Sequence, residues 1–315
     1  MIRFRVVIDP ILAFILLSRP LFLAGGFLFH GLGVVVALYL GARLSWPILI
    51  WTQLVITATQ AMTHFGNEYF DQAADRLNNS PTPWSGGSRV LPAGDLPGWI
   101  ALAAAGVCAA IALLAGAVLL SLRPDVAGIG VGIILAALTL SWFYSAPPLR
   151  LHSRGLGEVT VAAVTQGLTP LLGFLMQTTP AIAATGWPLL LGTVLPIACI
   201  QIPMMLGVTW PDVAADAAAG KRTLAVRLGP VRSARLHNFM LILAYGMLPV
   251  GLLLGVPRPV IAFMALPAPI ALWQMRQVVR RAHTDPQRWA GLAFGNMVLL
   301  NLTAGLAGMV YWWIG

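Results

Sequence analysis

Charge is what this sequence has least of. Only 9% of its 315 residues are Asp, Glu, Lys or Arg, against 58% hydrophobic, and the mean hydropathy is +0.83. Soluble domains carry charge on about a quarter of their residues. A chain this poor in charge has no means of covering a water-exposed surface of its size, so the bilayer is its solvent. Cysteine is scarce as well. Cys108 and Cys199 both fall in apolar stretches with no His or second Cys at a ligand spacing, which excludes a disulfide framework and a thiolate metal site and leaves a core role. The basic excess, formally +9 with a pI near 10.7, does not indicate nucleic acid. These residues sit in short gaps between apolar runs and form no basic stripe with interleaved aromatics. Membrane topology and an anionic substrate remain as its sources.

Apolar runs of about 20 residues, the length that crosses ~30 Å of hydrocarbon, fall near 11–40, 46–66, 98–121, 126–145, 157–178, 187–209, 233–255, 259–278 and 290–314. Backbone groups in lipid must find partners within their own segment, so runs this long mean helices; barrel strands would be shorter and alternating. The expected fold is an all-α polytopic membrane helical bundle of about nine transmembrane helices, one membrane-embedded unit over residues 1–315. Arg3 and Arg5 ahead of an apolar run imitate a secretion signal, but Arg19 and Pro20 interrupt that run and the hydrophobicity continues past them. The segment therefore reads as the first span, and its length implies a tilt or a short surface piece before Arg19.

Two constellations carry chemistry. Asn67, Asp71 and Asp75 recur every four residues, which on a helix lines them along one face about 6 Å apart. Carboxylates on one stripe repel unless a cation sits among them, and oxygen ligands of this kind suit Mg²⁺, which shares its shell with substrate phosphates. The bland alternative is a solvated helix end. With ten acids in the whole chain and four of them in two such pairs, and with ionisable residues costly at a membrane boundary, a functional site is the better reading. The second pair, Asp212 and Asp216, precedes a turn at Gly220 and the adjacent cations Lys221 and Arg222. Together the two describe a site for something metal-bound and polyanionic, as a diphosphate is. They recur four spans apart, which suggests two four-helix halves plus a ninth helix. Gly128 and Gly132 form a small-xxx-small pair suited to close helix packing.

Asn67-x-x-x-Asp71-x-x-x-Asp75, the later Asp212-x-x-x-Asp216 and about nine spans resemble the UbiA superfamily of membrane prenyltransferases over essentially the whole chain. Ser18-Arg19-Pro20 and Tyr144-Ser145-Ala146-Pro147-Pro148-Leu149-Arg150 match as well. Gly86-Gly87-Ser88-Arg89 and the run from Gly220 to Gly229 look most like the menaquinone branch, which prenylates 1,4-dihydroxy-2-naphthoate. Glu68 departs from the pattern, since many members carry Asp there. The resemblance implies a Mg²⁺-dependent transfer of a polyprenyl chain from an allylic diphosphate to an aromatic acceptor. It implies Mg²⁺ ligands Asp71, Asp75, Asp212 and Asp216 with Asn67, and Arg19, Lys221 and Arg222, with Arg150 and Arg154, as cations for the diphosphate. Tyr144 and Ser145 would line the chamber, and the apolar bundle would house the isoprenoid tail.

Some residues keep two readings. Tyr144 is a chamber residue or an interfacial belt residue. Glu158, opening the fifth span, complements a helix dipole or meets substrate. His64 reads as a satisfied interfacial histidine, and His30, His237 and His283 join no constellation. Arg276, Arg280, Arg281 and Arg288 read as topology and anionic-lipid contacts. A different acceptor, such as 4-hydroxybenzoate, homogentisate, haem or a tetrapyrrole, stays open, since acceptor choice depends on pocket shape. A transporter with repeated halves would place acids at mid-span; these cluster at span ends. Prenyl length and oligomeric state are not legible in one sequence.

With the N-terminus inside, sixteen of the nineteen Lys and Arg residues face the cytoplasm and only Arg43, Arg123 and Arg258 lie outside, as the positive-inside rule requires. The chain then reads as a multi-pass protein of the cell (inner) membrane, its C-terminus outside. The polar segments 67–97, 146–156 and 210–232 all fall on the cytoplasmic side. A reporter fused after Gly315 is expected to behave as non-cytoplasmic, and reporters inserted near Ser80 or Gly229 as cytoplasmic. Opposite sides for the two inserted reporters would break the shared-site argument.

Overall fold

A computed structural model of the chain describes residues 9–315; Arg3 and Arg5, two of the topology-setting cations, lie outside the described residues. The first apolar run is two helices, α1 (Pro10–Leu17) and α2 (Pro20–Tyr39). Asp9 caps α1 by accepting from the backbone N–H groups of Ile11 and Leu12 at 2.8 and 3.3 Å, satisfying donors that a helix start leaves bare. The break falls at Arg19, which adopts a left-handed φ of 50°, with Pro20 opening α2. A short separate piece before Arg19 is thus the answer to the overlong first span.

Next comes α3 (Trp46–Leu77), of 32 residues. At 1.5 Å per residue it is about 48 Å long, well beyond a ~30 Å hydrocarbon layer. Its last three turns overhang, and they carry Asn67, Asp71 and Asp75. The chain returns through the short α4 (Val90–Ala93) into α5 (Gly98–Leu122), α6 (Ala127–Ser145), α7 (Gly157–Val161) and α8 (Thr169–Gln177). Residues 162–168 between α7 and α8 form a π-helical turn. There the Thr169 hydroxyl donates to the carbonyl of Val164, five residues back, at 3.0 Å, and Pro170 has no N–H to continue the i−4 ladder.

The second part holds α9 (Pro180–Thr209), α10 (Val213–Ala218), α11 (Leu224–Gly246), α12 (Leu248–Leu253), α13 (Arg258–Ala265), α14 (Ala268–Val279) and α15 (Trp289–Ile314). Seven stretches of the described residues are long and apolar enough to cross a membrane. The amphipathic α3 and the α13–α14 pair complete nine helical columns among the described residues. The run expected at 259–278 is not one helix: it breaks around Leu266 and Pro267, since Pro267 has no N–H to extend α13 and α14 starts immediately after it.

Buried side chains form two large cores. One lies around α3, α5 and α6 and includes Met62, Phe65, Ala105, Leu119 and Ile134. The other joins α2 to α9, α11 and α13–α15 through Phe29, Val36, Ile197, Leu241 and Tyr311. Helix α8 gives residues to both, Phe174 to the second and Leu172 and Met176 to the first. The long polar connections meet at one end of the bundle. Asn78 Nδ2 donates to Asp212 Oδ1 at 2.7 Å, and the Arg222 N–H donates to the Ser153 carbonyl at 3.0 Å. Segments 67–97, 146–156 and 210–232 therefore share a side. At the other end Arg123 donates to the carbonyls of Met176 and Thr178 at the end of α8.

Helices α2 and α8 touch through backbone. A Cβ added at Gly33 would stand 1.9 Å from the Pro170 carbonyl oxygen. Gly33→Ala is expected to cost about 1–3 kcal/mol, as overpacking does, read as a lower thermal-unfolding midpoint in detergent. Gly31→Ala, two residues away with open space around it, should leave the midpoint unchanged or slightly raised, because alanine is the better helix former.

Candidate functional site

The overhanging end of α3 sets three oxygen-bearing side chains on one stripe. Asn67 Nδ2 donates to Asp71 Oδ2 at 2.7 Å and to Ser145 Oγ at 2.9 Å, so Ser145 braces Asn67 from behind. Asp71 is buried and fully engaged. Lys221 Nζ lies 3.0 Å from its Oδ2, and His152 Nε2 lies 2.8 Å from its Oδ1. His152 Nδ1 in turn meets the Tyr144 carbonyl at 2.5 Å. The Tyr144 and His152 rings stack with centroids 5.2 Å apart.

The second aspartate pair comes from the unwinding end of α9. The helix tightens into a 3₁₀ turn at Trp210–Asp212, and α10 then presents Asp216. Lys221 Nζ is 3.0 Å from Asp216 Oδ1, so this one ammonium bridges the two motifs. It is also the only lysine in the chain. Burial pulls the Lys221 ammonium down, but Asp71 and Asp216 outweigh that and hold it above the usual lysine range.

A strap from the α3–α5 connection joins the motifs a second time. The Gly86 N–H donates to Asp212 Oδ2 at 3.2 Å. At Gly87, with φ +73°, an added Cβ would stand 2.3 Å from Asp75 Oδ2, so only glycine lets the strap pass this close. Glu68, absent from the expected ligand set, anchors the strap. Its fully buried carboxylate accepts from Arg19 Nε at 2.6 Å, from the Ser88 N–H at 2.8 Å and from Ser88 Oγ at 2.7 Å.

These groups open into a cavity of about 540 Å³. Asn67, Asp71, Asp75, Asp212, Asp216, Lys221, Arg19 and Tyr144 line it, together with His64, His152 and Glu158. Deeper walls are apolar, with Leu28, Phe29, Met204, Val208 and Leu300. Arg150, Arg154 and Arg222 are exposed and line no part of it. Arg154 donates instead to the Pro148 carbonyl. The three arginines expected against the diphosphate thus stand outside the cavity, their side chains at the surface of the loops. Among the described residues no three His, Cys, Asp or Glu side chains form a closed metal cage. The lysine, not a cage, separates Asp71 from Asp216.

A family model for UbiA prenyltransferases matches residues 12–311. The chain belongs to the UbiA prenyltransferase family. No match was found among curated proteins. Solved structures share the fold. A UbiA homologue from Aeropyrum pernix K1 is 16% identical, with 90% of this chain and 96% of that one covered, at a TM-score of 0.65. A UbiA homologue from Archaeoglobus fulgidus, bound to GPP and Mg²⁺, is 17% identical over 95% and 99% of the two chains, at 0.58. A structure described for digeranylgeranylglyceryl phosphate synthase is 14% identical over 97% and 99%, also at 0.58. At such identities the likeness is one of fold.

Within this UbiA bundle, the sequence stripe led directly to Asp71 and Asp75, while His152 and Glu68 carried no periodic cue. Glu68 is testable by itself. Glu68→Ala leaves the Arg19 guanidinium without its buried partner, a loss of about 3–5 kcal/mol for pairs of this kind. The unfolding midpoint should fall accordingly. Adding Arg19→Met should recover part of the loss, and strict additivity of the two changes would show that the pair does not hold the strap.

Proposed function

We propose that the protein transfers a prenyl chain from an allylic prenyl diphosphate to an aromatic acceptor inside the bilayer, with Mg²⁺ as cofactor. One observation carries this reading: among the described residues, five carboxylates line a single cavity with two permanent cations, Arg19 and Lys221. Both cations already have carboxylate partners. A diphosphate adds further negative charge, and such a cavity accepts it only with metal cations. Oxygen donors from Asp71, Asp75, Asp212, Asp216 and the Asn67 side chain fit Mg²⁺. When bound, the metal supplies Lewis-acid stabilisation of the departing diphosphate. The Archaeoglobus fulgidus homologue of this fold, bound to GPP and Mg²⁺, supports the same assignment.

The remaining work falls to the chain's own residues. Lys221 and Arg19 are the cations placed to meet phosphate oxygens, and the Asn78 and Gly86 donors hold Asp212 in place. The strap over Glu68 and Ser88 covers the ionic mouth, while the apolar walls receive the isoprenoid tail and keep water from an allylic cation. Tyr144 bounds the chamber between mouth and walls. The mouth is assigned to the cytoplasmic side by the Lys and Arg distribution, where a charged donor has access. Among acceptors, 1,4-dihydroxy-2-naphthoate is the first choice, on the strength of the Gly86–Arg89 and Gly220–Gly229 sequences.

The test is product identification by mass. Membranes containing the protein are incubated with labelled prenyl diphosphates of several lengths. The acceptor panel holds 1,4-dihydroxy-2-naphthoate, 4-hydroxybenzoate and homogentisate, with a prenylated glyceryl phosphate, since a digeranylgeranylglyceryl phosphate synthase shares the fold. Activity should vanish in EDTA and return with Mg²⁺ or Mn²⁺; full turnover in chelator would remove the metal reading. Asp71→Ala, Asp75→Ala, Asp212→Ala and Asp216→Ala should each lower kcat about 10²–10³-fold, the scale of one lost electrostatic contact in a dry site. Asp285→Ala, which removes a surface pair with Arg288 and a hydrogen bond from the Gln287 N–H, both away from the cavity, should leave it intact. Equal losses in all five would mean misfolding.

A further inference from the structure

Glu158 is the cavity acid that the metal assignment leaves unused. It is 2% exposed and lines the same cavity, at the start of α7. Its carboxylate leans on its own backbone N–H, and it makes no ion pair among the described residues; the charged or titratable groups facing it are His152, Asp216 and the Tyr144 phenol. The backbone at Gly157 packs against His152 and Tyr144, with an added Cβ 3.0 Å from His152 Cα and 3.4 Å from Tyr144 Cε2. That fixes Glu158 beside the ionic mouth. Further along the chain Val161, at the end of α7, and Val164, in the π-helical turn, line the same cavity. An uncompensated buried carboxylate is costly, and one placed where ionic mouth meets apolar chamber is positioned for proton transfer.

We propose that Glu158 is the general base that takes the proton from the ring hydroxyl of the acceptor. The inference rests on the prenyl-transfer reading above. In the step, the acceptor O–H bond breaks and its proton goes to a Glu158 carboxylate oxygen. A ring-carbon electron pair forms the bond to C1 of the allyl group, and the C1–O bond breaks with its electron pair leaving on the diphosphate. The alkylated ring carbon then releases its substituent. A proton passes to the diphosphate, or a carboxylate leaves as CO₂, and Glu158 returns its proton to the ring oxygen. Charge and atoms balance in either case, with no oxidant or reductant.

The experiment compares wild type with Glu158→Gln in membranes, using one phenolic acceptor of ordinary acidity and a halogenated analogue whose hydroxyl is already ionised at the assay pH. Donor binding is measured in parallel with a non-transferable prenyl diphosphate analogue. The expected result is a kcat loss of about 10²–10⁴-fold with the ordinary phenol, the range for a lost general base. The loss should shrink by at least about tenfold with the ionised acceptor, with donor affinity held within about twofold. Unchanged kcat, equal loss with both acceptors, or loss of donor binding would each overturn the assignment. A wild-type protein that transfers nothing from any donor would overturn the prenyl-transfer reading and this proposal with it.

Discussion

Like charges gathered in a place that water hardly reaches must be neutralised, and the structure is arranged around that requirement. Half of the ten acids in this chain line one cavity at one end of the bundle. Water screens such charges well and a membrane-embedded cavity screens them poorly. Each carboxylate therefore needs a donor, a cation or a substrate-borne metal. The only lysine stands 3.0 Å from an aspartate of each motif. No other cation in the described chain touches both, so the two motifs are held as one site by a single ammonium.

The bundle supplies the geometry through departures from plain membrane helices. Helix α3 is longer than the hydrocarbon is thick and carries its stripe in its last turns, at the end of the bundle where the polar connections meet. Helix α9 unwinds at Trp210 so that Asp212 and Asp216 turn toward that stripe. The strap then crosses between them, fastened by Glu68 at one point and Asp212 at another. The Glu68 side chain reaches Arg19 and Ser88 together. The Glu68 carboxylate accepts from Arg19 Nε, the Ser88 N–H and Ser88 Oγ there, and so anchors the strap.

What the sequence disclosed and what it hid divide along a physical line. Helical length and the four-residue stripe of Asn67, Asp71 and Asp75 are local, so apolar runs and spacing revealed them. Pairings such as His152 with Asp71, 81 residues apart, leave no periodic trace, and neither does the Glu68–Ser88 anchor. The arginines show the same limit from the other side. Arg19, Arg150, Arg154 and Arg222 look alike in a string, since topology and anion binding ask for the same residue type. Only Arg19 turns inward, because Glu68 holds it; the others point to the surface. The break at Pro267 was equally hidden, as proline within an apolar run is common in membrane helices and seldom divides one.

The cavity must also hold ions at one end and exclude water at the other, and it does so by changing composition along its depth. Its mouth carries carboxylates, a lysine and an arginine. Its interior offers one amide pair, in which Gln166 Nε2 donates to Gln201 Oε1 at 2.8 Å, and then aliphatic walls. Paired amides spend their hydrogen bonds inward and present little to draw water after a substrate. A molecule with a charged head and a long apolar tail matches that gradient in one orientation only: head at the strap, tail among Leu28, Phe29 and Leu300. Reversing it would bury phosphates in hydrocarbon and expose the tail to the ionic mouth, and each error costs more than the single hydrogen bonds that hold the site together. The gradient therefore orients the substrate before any residue contacts the reacting bond.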